Sequence, residues 1–318
     1  MSVYEFPTSF GQRRMWLLAE MDPGEPTYNI TWAVWLDGAL DVGALQHAWD
    51  AAVARHEALR TTFRNPAGVP VQVIEEEPAA RALPVTSVEQ LAEAERQPAA
   101  LDQLRRLARI PFDLATGPLA RTAVVRLSAE AHVFAVVMHH IVADGLSFRI
   151  LFDEVSADYE AISKGGGPDA KEPPIQYADF AIWQVEHAED GGYAADGRFW
   201  RAELAGAPSA LALPTDEPYP ARQTFAAGSA GSAIGAGLAD ALRQLAARRG
   251  TTLPAVLLAA YAVVLARLTG NDDLLIAVPM AARTRPETES VVGLFMNTVP
   301  IRIRIDRNGT LDDLVRTV

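Results

Sequence analysis

The chain has 318 residues, 49% of them apolar, and a formal charge of −12 at neutral pH. That charge argues against nucleic acid or an anionic membrane as the main partner, because a phosphate surface calls for a basic face. The absence of cysteine excludes disulfides and thiolate catalysis. The opening stretch MSVYEFPTSFGQRR has no apolar core of the signal-peptide kind. The most apolar segment, Leu253–Leu265, falls short of the roughly 20 residues that a membrane span needs. A soluble, cytoplasmic globular protein of one large or two medium domains is expected.

Ile30–Leu36 (ITWAVWL) is β-branched and aromatic and reads as a strand. Asp41 then offers an N-cap for a helix predicted to run to about Leu59, with Leu45, Trp49, Ala52, Val53 and His56 on one face. Val69–Ile74 reads as a strand and Ala92–Arg109 as a surface helix. Thr122–Leu127 and Val133–Met138 form a hairpin or a strand pair. The second run is apolar throughout, as a strand covered on both faces would be. Ser147 is placed to cap a helix whose stripe is Phe148, Leu151, Phe152, Val155, Tyr159 and Ile162.

The stretch 165–174 (GGGPDAKEPP) is the clearest linker. It divides the chain into an N-terminal lobe, 1–164, and a C-terminal lobe, 175–318. In the latter, Tyr177–His187 reads as a helix and Pro208–Gln223 as irregular. Ala236–Arg248 and Thr252–Leu268 read as helices, the second with Pro254 in its first turn and Gly270 past its end. Leu274–Val278 and Thr298–Ile305 read as strands. Thr310 caps a last helix with Asp312 and Asp313 in its first turn. That helix stops after about two turns, short of the usual three, and suggests an incomplete domain.

The chemistry concentrates at His139 and His140, which end the apolar run and open a loop into a helix, a common place for active groups in α/β sheets. Neighbouring side chains at a strand end point to opposite sides, so one of the two faces a given cavity. A neutral imidazole there can take a proton from an attacking nucleophile. Asp144 can accept a hydrogen bond from a ring nitrogen, or pair with an arginine and brace the loop. Gly145 gives the backbone freedom to turn. A metal needs about three protein ligands, and no His-x-x-x-His or nearby Glu supplies them, so no metal is expected. A serine-hydrolase elbow is missing as well; 228–231 (GSAG) is the nearest approach.

His139 to Gly145 (HHIVADG) resembles the HHxxxDG signature of the condensation domains of nonribosomal peptide synthetases. Four further stretches, in order, resemble that family's motifs: Ser9–Trp16 (SFGQRRMW), Arg55–Phe63 (RHEALRTTF), Tyr177–Trp183 (YADFAIW) and Val292–Thr298 (VGLFMNT). The resemblance implies an α/β fold of two chloramphenicol-acetyltransferase-like lobes, with mixed sheets covered by helices. It implies an acyltransferase of antibiotic and other secondary metabolism. A donor acyl or peptidyl thioester and an acceptor aminoacyl thioester would arrive on two peptidyl carrier proteins. Their phosphopantetheine arms would stand in for any cofactor of the chain's own, and the free amine would attack the donor carbonyl to form an amide.

By motif position His140 is the catalytic histidine, with His139, Asp144 and Gly145 beside it. Asp144 is expected in an ion pair with Arg283. Ser147, Asn297 and Thr298 are candidates for tunnel or substrate contacts. Trp16, Trp183 and His56 are read as structural. Family members are longer, so the resemblance also implies a second lobe truncated at its C-terminal side. The donor carrier is expected on another polypeptide. The alternatives are a non-catalytic carrier-docking or recruitment module, a truncated inactive remnant, and an epimerisation domain, which the forms of Ser9–Trp16 and Arg55–Phe63 argue against.

Overall fold

A computed structural model describes residues 2–77, 81–221, 224, 225 and 227–318. Arg222 and Gln223, at the end of the stretch expected to be irregular, lie outside the described residues; positions 208–221 carry no helix or strand. The chain divides into two units, one of Met1–Gly192 with Ala281–Asn297, the other of Tyr193–Met280 with Thr298–Val318. The division therefore falls after Gly192, and not at 165–174. The reason is local: the Asp158 carboxylate accepts from the backbone N–H of Asp169 (2.8 Å) and Ala170 (2.9 Å), which fastens that stretch to the first unit.

In chain order the first unit contains β1 (Val3–Pro7), α1 (Phe10–Met21), β2 (Asn29–Asp37), α2 (Val42–Arg55), β3 (Thr61–Arg64), β4 (Val71–Glu75), β5 (Val85–Ser87), α3 (Glu93–Ala108), β6 (Ala120–Ser128), β7 (Ala131–His139), α4 (Gly145–Ser163) and α5 (Tyr177–Glu189). Two sheets form. One runs β1-β4-β3; the other runs β2-β7-β6-β5, with β5 parallel to β6 and the remaining pairs antiparallel. The apolar run of β7 is buried from His132 to His139. Phe134, Val136 and Met138 face the main core with α2 and α4, while Val133 and Ala135 face a smaller cluster with Ala100 and Leu104 of α3. A strand sandwiched in this way has no use for alternation, which explains its uniform composition.

α2 and α4 are joined by charge. Arg55 bonds Glu154 (2.8 Å) and Asp158 (2.9 Å), and the His56 Nε2 lies 2.8 Å from Glu154. α2 was expected to reach Leu59, but it ends at Arg55. His56 adopts extended backbone (φ −106°, ψ 105°), buried with its ring on Glu154, and residues 57–60 form a 3-10 turn. Periodicity continued through this break because the 3-10 turn keeps Ala58 and Leu59 buried.

The second unit holds α6 (Ala194–Glu203), α7 (Ala236–Arg249), α8 (Leu253–Thr269) and α9 (Leu311–Thr317), with most of β8 (Asp273–Ala281) and of β9 (Met296–Arg304), which pair. Both α7 and α8 end on glycines in the left-handed region, Gly250 (φ 64°) and Gly270 (φ 75°), where a Cβ is disfavoured. Its core is aliphatic: Val256, Ala259, Ala262 and Leu265 of α8 meet Leu274, Ile303, Leu314 and Val315. Thr310 caps α9 as expected, accepting from the Asp313 N–H. Five elements had escaped sequence reading: β1, α1, β3, β5 and α6. The strands are short, and α6 buries no residue, so its pattern is weak. Among the described residues no single helix is long and apolar enough to cross a membrane.

Candidate active site

β7 delivers the histidines to a loop held at both sides by backbone bonds: the N–H of His139 donates to Leu119 (2.9 Å) and that of His140 to Tyr28 (2.8 Å). The two rings then part. His139 is 5% exposed and sits edge-on to Tyr28 and Phe112. Its Nδ1 accepts the Ile141 N–H at 3.1 Å, so the proton of the neutral ring is on Nε2. Burial, and secondarily the neighbouring His140, push its pKa down to about 4. Although sequence reading grouped it with the catalytic residues, its geometry is that of a neutral brace.

The His140 ring is part-exposed. Its Nδ1 lies 2.7 Å from the Ala143 carbonyl. A carbonyl only accepts, so Nδ1 carries the proton, and the lone pair of the neutral ring is on Nε2. The backbone oxygen that sets this tautomer left no mark in the sequence, because any residue at position 143 would supply it.

Asp144, not Ser147, caps α4. Its Oδ1 accepts from the N–H (3.0 Å) and hydroxyl (2.8 Å) of Ser147. The Ser147 hydroxyl accepts in return from the Asp144 N–H at 3.1 Å, a reciprocal capping box. Asp144 precedes the first helical residue with extended φ and ψ, the backbone a cap requires; Ser147 is already inside the helix. It is also fully buried, so it has no surface for the substrate contact considered above. Gly145 has a negative φ and no atom within 4 Å of an added Cβ. The turn into α4 therefore does not need glycine there.

Arg283 reaches Asp144 Oδ1 at 3.1 Å, with side chains 4% and 5% exposed. Burial lowers the Arg283 pKa and Asp144 opposes that shift. The guanidinium also donates to the carbonyls of Thr288 and Val291 (the latter at 2.7 Å) and lies 4.0 Å from the Phe295 ring centre. It thereby organises the whole segment 283–295. Three further bonds hold that segment. The Phe295 N–H donates to Asp144 Oδ2 (3.1 Å), the Gly293 N–H donates to the Ser147 hydroxyl (3.1 Å), and the Tyr177 hydroxyl donates to the Leu294 carbonyl (2.6 Å). Tyr177 is fully buried, and burial raises its pKa well above the ordinary phenol value, so it stays a donor. A Cβ at Gly293 would fall 1.9 Å from the Tyr177 ring; glycine is obligatory there for close approach.

Asn297 is exposed at the end of this segment and accepts from Arg14 at 3.3 Å. Thr298 is exposed in the second unit. Neither is among the groups gathered around Asp144. Tyr177 and Gly293 lie within the YADFAIW and VGLFMNT stretches, where no local pattern gives either a role. The aromatic–glycine pairing across 116 residues shows only when the fold brings them together. Trp183 stacks on His187 and carries Arg285 over its ring at 4.9 Å, and Trp16 packs against the main core.

The family model for the condensation domain matches residues 4–318. The chondramide synthase of Chondromyces crocatus is 40% identical over 312 residues, which are 98% of this chain and 8% of that protein. Tyrocidine synthase 2 of Brevibacillus parabrevis is 37% identical over 313 residues, again 98% of this chain and 8% of that protein. The chain thus spans a small part of the length of these synthases. Among solved structures, the X-domain from teicoplanin biosynthesis superposes with a TM-score of 0.84 at 30% identity, covering 97% of this chain and 68% of that one. The first condensation domain of the calcium-dependent antibiotic synthetase has a TM-score of 0.81 at 20% identity, covering 99% and 73%, and shows the shared fold. With the family model matched across nearly its whole length, the chain belongs to the condensation-domain family of nonribosomal peptide synthetases.

Proposed function

We propose that this chain joins a carrier-bound acyl or peptidyl donor thioester to a carrier-bound aminoacyl acceptor through an amide bond. The observation that carries this reading is the His140 ring, part-exposed and bonded through Nδ1 to the Ala143 carbonyl. Its Nε2 lone pair is the proton acceptor that an attacking amine requires. The amine nitrogen bonds to the thioester carbonyl carbon, and its proton passes to Nε2. The tetrahedral intermediate then collapses with loss of the C–S bond, and the donor thiolate takes the proton back from His140. The phosphopantetheine arms of the two carriers hold both reactants, so positioning supplies much of the rate. No cofactor resident in the chain is used.

His139 braces the loop, Asp144 with Arg283 holds it rigid, and Gly145 leaves open space beside it. The test loads two carrier proteins and follows the intact acceptor by mass spectrometry. The acceptor is expected to gain the mass of the donor acyl group, and His140→Ala is expected to abolish the gain. Turnover by His140→Ala at the original rate overturns the reading.

One observation favours a second reading, a recruitment module without turnover. The teicoplanin X-domain, similar to this chain at a TM-score of 0.84, has been solved in complex with OxyB. Carrier binding by this chain with no mass gain under any donor would select it. An inverted acceptor residue with unchanged mass would select epimerisation.

A further inference from the structure

We propose that Ser147 is a positioning residue for His140, acting through one peptide plane; this rests on the catalytic reading of His140. The carbonyl of Ala143 and the N–H of Asp144 belong to the same peptide unit. That unit is planar and trans, so its C=O and N–H point in opposite directions and turn together. The carbonyl accepts from His140 Nδ1 at 2.7 Å. The N–H donates to the Ser147 hydroxyl at 3.1 Å. Whatever fixes the serine oxygen therefore fixes the angle at which the carbonyl meets the imidazole, and with it which ring nitrogen holds the proton.

The serine oxygen is fixed from all sides. It has one proton to give and two lone pairs. The proton faces two acceptors, Asp144 Oδ1 at 2.8 Å and the Gly293 carbonyl at 3.0 Å. The charged and shorter bond takes it. The lone pairs accept the N–H groups of Asp144 and Gly293, each at 3.1 Å. Ser147 is fully buried, so water cannot replace these bonds. Gly293 is in turn pinned by the Tyr177 ring packed against its Cα, while the Tyr177 hydroxyl donates to Leu294 and lies 2.8 Å from the Ser9 hydroxyl. The catalytic ring is thus oriented by a serine on α4 that is itself held by a segment roughly 146 residues further along the chain.

The role is separable from packing because it has a spectroscopic signature. In protein labelled with 15N-histidine, the neutral His140 ring is expected to show a protonated Nδ1 and an unprotonated Nε2. In Ser147→Ala the two nitrogen shifts are expected to converge as the tautomers mix. With loaded carriers, kcat is expected to fall about 10- to 100-fold at unchanged KM, as for a slightly misplaced base. Ser147→Thr, which restores the hydroxyl, is expected to recover the wild-type tautomer. Should Ser147→Ala fail to fold, Tyr177→Phe keeps the ring and removes the hydroxyl's bonds to Leu294 and Ser9; a partial shift of the same two signals is expected. Wild-type shifts in Ser147→Ala, or in Tyr177→Phe where the first variant cannot be studied, overturn the positioning role. Altered shifts in a wild-type background that never transfers an acyl group would leave this role standing and overturn the catalytic reading instead.

Discussion

The two units of this chain solve the problem of a core in opposite ways. The residues that are buried whole yet carry a polar or charged side chain, from Thr8 and Ser9 through Arg55, His139, Asp144 and Ser147 to Thr288, all lie in the first unit among the described residues. The second packs Ala, Val, Leu and Ile; its Arg302 meets Asp273, whose side chain stays 37% exposed, and donates to the Glu203 and Ala205 carbonyls. Aliphatic packing tolerates repacking at similar volume. A buried polar network has one satisfied arrangement and is costly in any other. The first unit therefore trades tolerance for a fixed geometry, and it does so around His140.

The sharpest way to break that contrast is to remove one half of the Asp144–Arg283 pair. Arg283→Met leaves a buried carboxylate without its cation and frees the carbonyls of Thr288 and Val291. A loss of about 3–5 kcal/mol is expected, read by denaturant unfolding. A loss within the error of the fit would mean that the network is not what holds the loop.

Next in size is a pH effect from His139. Its pKa is depressed to about 4 in the folded chain from about 6.5 when unfolded. Between those values the unfolded chain binds more protons. The contribution of this group is therefore complete above about pH 6.5 and is lost as pH falls toward 4, by about 3 kcal/mol in all. His139→Asn keeps an acceptor for the Ile141 N–H and removes the titration. The slope of stability against pH in that window is expected to flatten, and an unchanged slope would assign the titration elsewhere.

Smaller effects mark where the rigidity stops. Gly145→Ala meets no neighbour and needs no unusual backbone, so about 0.4–1 kcal/mol of added stability is expected from the less flexible unfolded chain. A drop in the thermal midpoint would show a constraint at that position beyond those contacts. Smallest of all, Arg307→Ala in the second unit removes an ion pair with side chains 66% and 41% exposed. Solvent screens such pairs, and the unfolding midpoint is expected to stay where it was.

Much of this architecture was legible because it is locally encoded. The uniform run of β7 announced a strand covered on both faces, and Thr252 and Gly270 bounded α8 within a residue. The histidines were placed at a strand end for the same reason. The cap of α4 was misread because Asp144 and Ser147 are both good capping residues three positions apart, and only backbone angles distinguish the cap from its reciprocal partner. The boundary at 165–174 was misplaced because glycine and proline mark a break in regular structure, whereas Asp158 reaches across that break.

By itself the sequence determined most of the elements, where the histidine pair sits, and through five ordered motifs a resemblance to the family. These are matters of periodicity, capping and residue identity over a few turns. Only the tertiary structure decided which histidine is buried and which keeps a free nitrogen, that Ala143 orients the ring, and that Tyr177 packs on Gly293 to hold the segment carrying Arg283. Those outcomes depend on backbone carbonyls and N–H groups, which every residue carries alike, and on contacts between segments more than a hundred residues apart. No local pattern of side chains records either.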